Sequence, residues 1–278
     1  MQRLISRLFT RGQFTGFLAL FLIITVLSIL AAFFPLWVNV PLHVFLPIYI
    51  LTTKKMVMFE KLKLSTLVVM RALIVLVLFG LMSSEWYIRI VLIFLIINIL
   101  EATFTDLLKN KMYFNFVTGL ALAASVLVLG AVWTSNVTGP LSGIYRTYVT
   151  SGGNKLFLLK SAKMGASIAW IIAYTIWNWL FVIGEFSPSI GYHHVAILSS
   201  PIISSLLFWD PGYWLVMRAN SLTAGGIIQI ACKEELEKEL RHKGLTRFIE
   251  RVKGNAIQLV LMLINLLLLA YCIFVYFQ

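Results

Sequence analysis

Carboxylates are scarce in this chain. Asp and Glu number 11 in 278 residues against 23 Lys and Arg, and the charged types together make up only 12% of the composition. A soluble globular domain carries about 25% charged and roughly 45–50% apolar residues. Here the hydrophobic share is 60%, which leaves too little polar surface to wet a globule and points to lipid as the solvent. Cysteine is nearly absent as well. Cys232 and Cys272 form no disulfide framework and no ligand cluster with the four histidines. The chain has no Walker loop, GxSxG elbow, GxGxxG, HExxH or CxxC at usable spacing. These absences speak against ATP-driven chemistry by this chain alone and call for no cofactor. The net charge of +12 would suit nucleic acid if it formed a stripe. The basic residues instead fall between apolar runs, so the expected partner is the bilayer and its anionic headgroups, with no nucleic acid.

Long apolar runs are what the sequence has in quantity. A spanning helix needs roughly 20 apolar residues. Candidate spans are Thr15–Phe34, Leu36–Leu51, Leu64–Met82, Trp86–Leu108, Phe114–Trp133, Met164–Glu185, Ile190–Trp209, Tyr213–Ala231 and Ala256–Phe277. Barrel strands would alternate apolar and polar over about ten residues, and these runs do not. The expected fold is therefore all-α, a polytopic transmembrane bundle forming one domain over 1–278, with about nine spans. Leu36–Leu51 is the weakest, being short and holding Pro41 and Pro47, so eight spans plus a re-entrant piece is the alternative. The run after Arg3, Arg7 and Arg11 is too long for a cleaved signal and reads as a retained first helix.

Lys and Arg cluster in alternate connections: the N-terminal arginines; Lys54, Lys55, Lys61 and Lys63; Lys109 and Lys111; and the run from Lys233 to Lys253. The intervening segments hold only Arg146, Lys155, Lys160 and Lys163. The positive-inside rule then puts the N-terminus in the cytoplasm and the C-terminus outside, in the cell (cytoplasmic) membrane. Residues 134–162 become a long outer loop. Residues 233–254 become a charged cytoplasmic segment of two short helices, the first ended by Gly244 and the second capped by Thr246.

Ionisable and polar residues inside a span are functional candidates, because each charge costs about 3 kcal/mol to insert. On the fourth span Asn98, Glu101, Thr105 and Lys109 fall on one stripe with Asp106 at its edge. Glu101 and Asp106 are candidates for cation binding, proton exchange or pairing with a buried arginine. The fifth span opens with Asn115, Thr118 and Gly119 on one face, the glycine allowing close approach. On the sixth, Tyr174, Trp177, Asn178, Phe181 and Glu185 share a face that suits a ligand cavity. The seventh carries His193 and His194; adjacent histidines diverge on a helix and do not chelate together, so His194 is a proton-relay candidate rather than a zinc ligand. On the eighth, Arg218 shares a stripe with Ser221, Gly225 and Gln229, and three roles are open to it: snorkelling outward, pairing with a carboxylate or binding an anion. Arg71 and Arg89 are expected to snorkel to the interfaces.

Asn98-Ile99-Leu100-Glu101-Ala102, followed by Asp106, Asn115 and Gly119, and Ile171-Ile172-Ala173-Tyr174-Thr175-Ile176-Trp177-Asn178, followed by the histidines and Pro201, resemble a family of bacterial multipass membrane proteins known only as a domain of unknown function. The resemblance covers roughly residues 90–225 through an N-x-x-E-A helix and a Y-x-x-W-N helix. Thr175 and Thr105 stand where an acidic residue and an arginine are often found. The resemblance implies a bacterial cytoplasmic membrane and supplies no reaction. The expected function is transport or channelling of a small solute or ion, in its sharpest form proton-coupled through Glu101. The alternatives are an intramembrane enzyme acting on a lipid or isoprenoid, with Glu101 or Asp106 and His194 as acid and base, and a receptor or assembly factor binding through the outer loop.

Overall fold

A computed structural model describes residues 13–54, 56, 58–82, 84–129, 148–149, 155–156, 164–209, 211, 213–239 and 243–277. Its helices are α1 (Gln13–Phe33), α2 (Pro35–Thr53), α3 (Met58–Leu78), α4 (Ser84–Thr105, prolonged by a π-turn Asp106–Asn110), α5 (Tyr113–Leu129), α6 (Met164–Glu185), α7 (Pro188–Leu207), α8 (Tyr213–Ala231), α9 (Lys233–Glu239), α10 (Lys243–Val252) and α11 (Asn255–Phe277). Two two-residue strands, β1 (Tyr148–Val149) and β2 (Lys155–Leu156), pair antiparallel. They are the described part of the expected outer loop 134–162, the rest of which lies outside the described residues, as do the N-terminal arginines.

Six segments are long and apolar enough to cross a membrane: Thr15–Phe33, Pro35–Thr53, Arg89–Asn110, Gly165–Glu185, Pro188–Leu207 and Asn255–Val275. α5 is apolar but shorter, and α3 and α8 carry polar faces. The long helices have an apolar outer surface as well as an apolar core. On α1, Leu18, Leu22, Val26 and Leu30 form an exposed column, while Thr25 and Ser28 are buried. On α11, Val260, Leu263, Leu267 and Phe274 are exposed, and Asn265 is buried. Continuous apolar columns of this kind would aggregate in water; in hydrocarbon they are the solvent-facing surface.

The segment Pro35–Thr53 is one helix of 19 residues, with two π-turns that each begin at a proline. Val40 N–H bonds Pro35 O and Leu46 N–H bonds Pro41 O. Each π-turn also runs up to a further proline, Pro41 or Pro47, whose ring would clash with the carbonyl four residues back, and a wide turn ahead of it relieves that contact without breaking the helix. Asn39 and His43, one turn apart, are fully buried and joined by a 2.8 Å hydrogen bond.

α1, α7 and α8 pack as one layer, and α4, α5, α6 and α11 as another; α6 against α7 joins the two. Small residues let backbones approach, as in other bilayer-embedded bundles. A Cβ at Gly225 on α8 would run into the Ile197 side chain of α7, and one at Gly119 on α5 would run into Thr103 Oγ1. Between the layers Trp170 and Tyr174 stack at 13°, and Trp214 meets both edge to face, its centroid 5.2 Å from that of Tyr174 at 80°. In the 233–254 segment, Gly244 does not end a helix: it lies in the first turn of α10, which starts at Lys243.

A cationic cavity between the layers

Five helices turn one face each toward a common space. α3 supplies Lys63, Leu67, Met70 and Arg71, spaced by three or four residues so that they share a side. α8 supplies Leu215, Arg218 and Leu222 by the same spacing. α6 contributes Tyr174, Trp177, Asn178 and Phe181; α4 contributes Phe94 and Asn98; α7 contributes His194 and Ile197. The enclosed space is about 180 Å³. The structure thus brings Asn98, Tyr174, Trp177, Asn178, His194 and Arg218 to one wall. It also adds two cations, Lys63 and Arg71, that sequence reasoning assigned to a loop and to the interface. Arg71 does not snorkel. It is 2% exposed and donates from Nη1 to Asn220 Oδ1, whose own amide donates to Ser28 O at 3.0 Å. An amide partner on α8 and a wall of packed side chains hold it inside.

Among the described residues that line it, the wall has three cationic side chains and no carboxylate. Arg218 Nε and Nη1 are buried without a hydrogen-bond partner, and so is Arg71 Nε. Unpaired charged donors away from water are costly, so these groups lack a counter-charge in the protein wall. His194 Nδ1 lies 3.0 Å from Ile190 O. A carbonyl only accepts, so Nδ1 carries the proton and Nε2 is left as an acceptor. The ring stacks on Phe186 at 4.3 Å and 13°, and Lys63 Nζ sits over the same Phe186 ring, 5.7 Å from its centroid. Asn178 Nδ2 donates to Tyr174 Oη at 3.0 Å, fixing the polar edge of an otherwise aromatic wall.

Asp106 and Asn115 are buried elsewhere, at the α4–α5 hairpin. Asp106 accepts from Asn110 Nδ2 at 3.1 Å and from Asn115 Nδ2 at 2.6 Å. Asn115 in turn takes Trp177 Nε1 on its carbonyl at 3.1 Å. These residues brace the back of Trp177, one of the cavity's walls. Glu101 is exposed and outside the wall, although Lys63 lies in its field and in that of Glu185.

A second space of about 320 Å³ adjoins the first, sharing Lys63, Phe186 and His194 with it. It is lined further by Glu185, Gln229, Lys233 and Glu237 and so leads toward α9. Glu185 is paired with Lys109 at 2.6 Å. Charges of both signs stand at this mouth and charges of one sign stand within. Among the described residues no three His, Cys, Asp or Glu side chains converge on a point where a metal would sit. No curated protein and no solved structure matches the chain. Along residues 4–277 it matches a family described only as a family of unknown function, DUF5692.

Proposed function

The chain belongs to DUF5692, a family of unknown function, so its activity has to be argued from its own site, and we propose that it is an integral membrane protein that binds a small organic anion in this cavity and carries it across the bilayer. One observation carries the reading: Lys63, Arg71 and Arg218 share a wall that holds no acid, and Arg218 keeps buried donors unpaired. An anion supplies the missing counter-charge, and charge-assisted hydrogen bonds to it are worth about 1.5–3 kcal/mol each. Trp177, Tyr174 and Phe181 give the ligand's apolar part a flat surface. The mouth toward α9 provides an aqueous route, and the cytoplasmic membrane is its setting. Proton coupling through Glu101 would act from the rim, since Glu101 does not touch the cavity. The enzyme reading leaves His194 with no carboxylate partner in the wall.

The test uses benzoate, its neutral counterpart benzamide and the cation benzylamine, titrated into the purified protein with tryptophan fluorescence as the signal. Benzoate should bind at least tenfold more tightly than either, and Arg218→Gln should remove that preference. Proteoliposomes loaded with benzoate should exchange it for labelled benzoate outside. Equal binding of benzamide, or a preference for benzylamine, ends the anion reading.

A further inference from the structure

The inference rests on the anion reading and narrows its ligand. On α4 the residues facing the cavity and those facing outward are set apart by the helical period. Ile93, Ile97, Phe104 and Leu108 form the outward column. Thr103 and Asp106, on the opposite flank, face α5. Asn98 and Glu101 occupy the border between the outward column and the cavity face, on the flank turned away from α5.

Asn98 belongs to both surfaces: it is exposed, and it lines the cavity. Its position is deep in the segment Arg89–Asn110. At 1.5 Å per residue Glu101 lies about 13 Å, and Asn98 about 18 Å, from the Asn110 end. Both are therefore within a hydrocarbon layer about 30 Å thick. α4 packs chiefly on α5 and only lightly on α3.

We infer that the cavity opens sideways into the bilayer at Asn98, between α3 and α4, and that its anion is the headgroup of a single-chain amphiphile, a long-chain carboxylate drawn from the lipid. The cavity's size agrees. About 180 Å³ is below the roughly 300–1,000 Å³ of sites that enclose a whole drug-sized ligand. It suits a headgroup whose chain stays outside along the apolar column of α4. Glu101 at the rim gives Lys63 a counter-charge while the site is empty, and the incoming carboxylate replaces it.

The experiment places the full chain in phosphatidylcholine nanodiscs and adds 9,10-dibromostearate or its methyl ester, whose bromines quench tryptophan fluorescence. Half-quenching by the acid should come at a concentration at least tenfold lower than by the ester, and Arg218→Gln should erase the difference. In parallel, a nitroxide on Glu101→Cys should collide freely with oxygen and poorly with a water-soluble nickel chelate. If benzoate binds but the acid shows no advantage over the ester, the lipid ligand is wrong while the anion reading stands. If benzoate does not bind either, the anion reading falls first. A nitroxide reached by the nickel chelate, or an unlabelled Glu101→Cys thiol that is oxidatively cross-linked to a second copy of the chain, overturns the sideways opening.

Discussion

Arg71 and Arg218 are the same residue type, both set in apolar runs, yet one neighbour gives them different work. Arg71 is tied to Asn220. Replacing it with Leu strands a buried amide oxygen, so Arg71→Leu should cost about 1–3 kcal/mol of stability, read as a lowered midpoint in a detergent unfolding titration. Arg218 has no such tie. Arg218→Gln should leave that midpoint unchanged or raised, because it relieves an uncompensated buried charge, while benzoate affinity falls at least tenfold. Glu101→Gln should tighten benzoate binding severalfold by freeing Lys63 from its rim carboxylate; a loss of binding would instead put Glu101 in the binding machinery. The residues chosen from helical stripes alone included Asn98, Tyr174, Trp177, Asn178, His194 and Arg218, because polar groups inside apolar runs stand out. Lys63 reads from sequence as a loop cation and Arg71 as one that snorkels to the interface. A basic residue near a span's end looks the same whether it faces headgroups or a cavity, and only the partner helix decides. A sequence signal did exist: Lys63, Leu67 and Arg71 repeat every four residues, which places both cations on one side of α3.

At the scale of single helices, hydrophobic run length foretold most of the architecture, since the runs from Thr15 to Phe277 correspond to α1–α8 and α11. What run length does not reveal is which helices stay apolar all round. α3 and α8 fall outside the six candidate spans because they turn Lys63, Arg71, Arg218 and Asn220 inward. These two less apolar helices thus supply all three of the wall's cations. The hairpin after α4 was also hidden. Asp106 read as a catalytic or cation-binding candidate, but its carboxylate clasps Asn110 and Asn115 across a π-turn, helped by Lys111 in the left-handed region at φ 55°. Asp106→Ala takes the acceptor from Asn110 and leaves Asn115 Nδ2 only the Trp177 carbonyl at 3.3 Å, so a loss of about 1–3 kcal/mol is expected, with Asp106→Asn losing less. Gly119→Ala, on the same hairpin, drives a methyl group into Thr103 and should cost about 1–3 kcal/mol. Thr103→Ala should recover part of that loss in the double variant, and additive losses would show that the two helices do not meet there.

For the molecule as a whole, composition states the solvent and the charge pattern states a direction. Scarce carboxylates leave the interior cations without internal partners, and the same bias concentrates Lys and Arg in a few connections. The adjoining mouth is lined by Lys233 and Glu237 of α9, in the basic segment that the positive-inside rule assigns to the cytoplasm. In the proposed route the polar mouth therefore lies on the side that the rule assigns to α9, and the proposed opening at Asn98 lies toward lipid. Lys233 is exposed, and the native thiols Cys232 and Cys272 are buried, so a new cysteine at Lys233 can be read against a quiet background. Lys233→Cys should react with a membrane-impermeant maleimide in inverted vesicles at least tenfold faster than in right-side-out ones. The reverse ratio would place α9 and the mouth outside and turn the assigned orientation over. The anion site would remain, but its aqueous route would then begin on the opposite face.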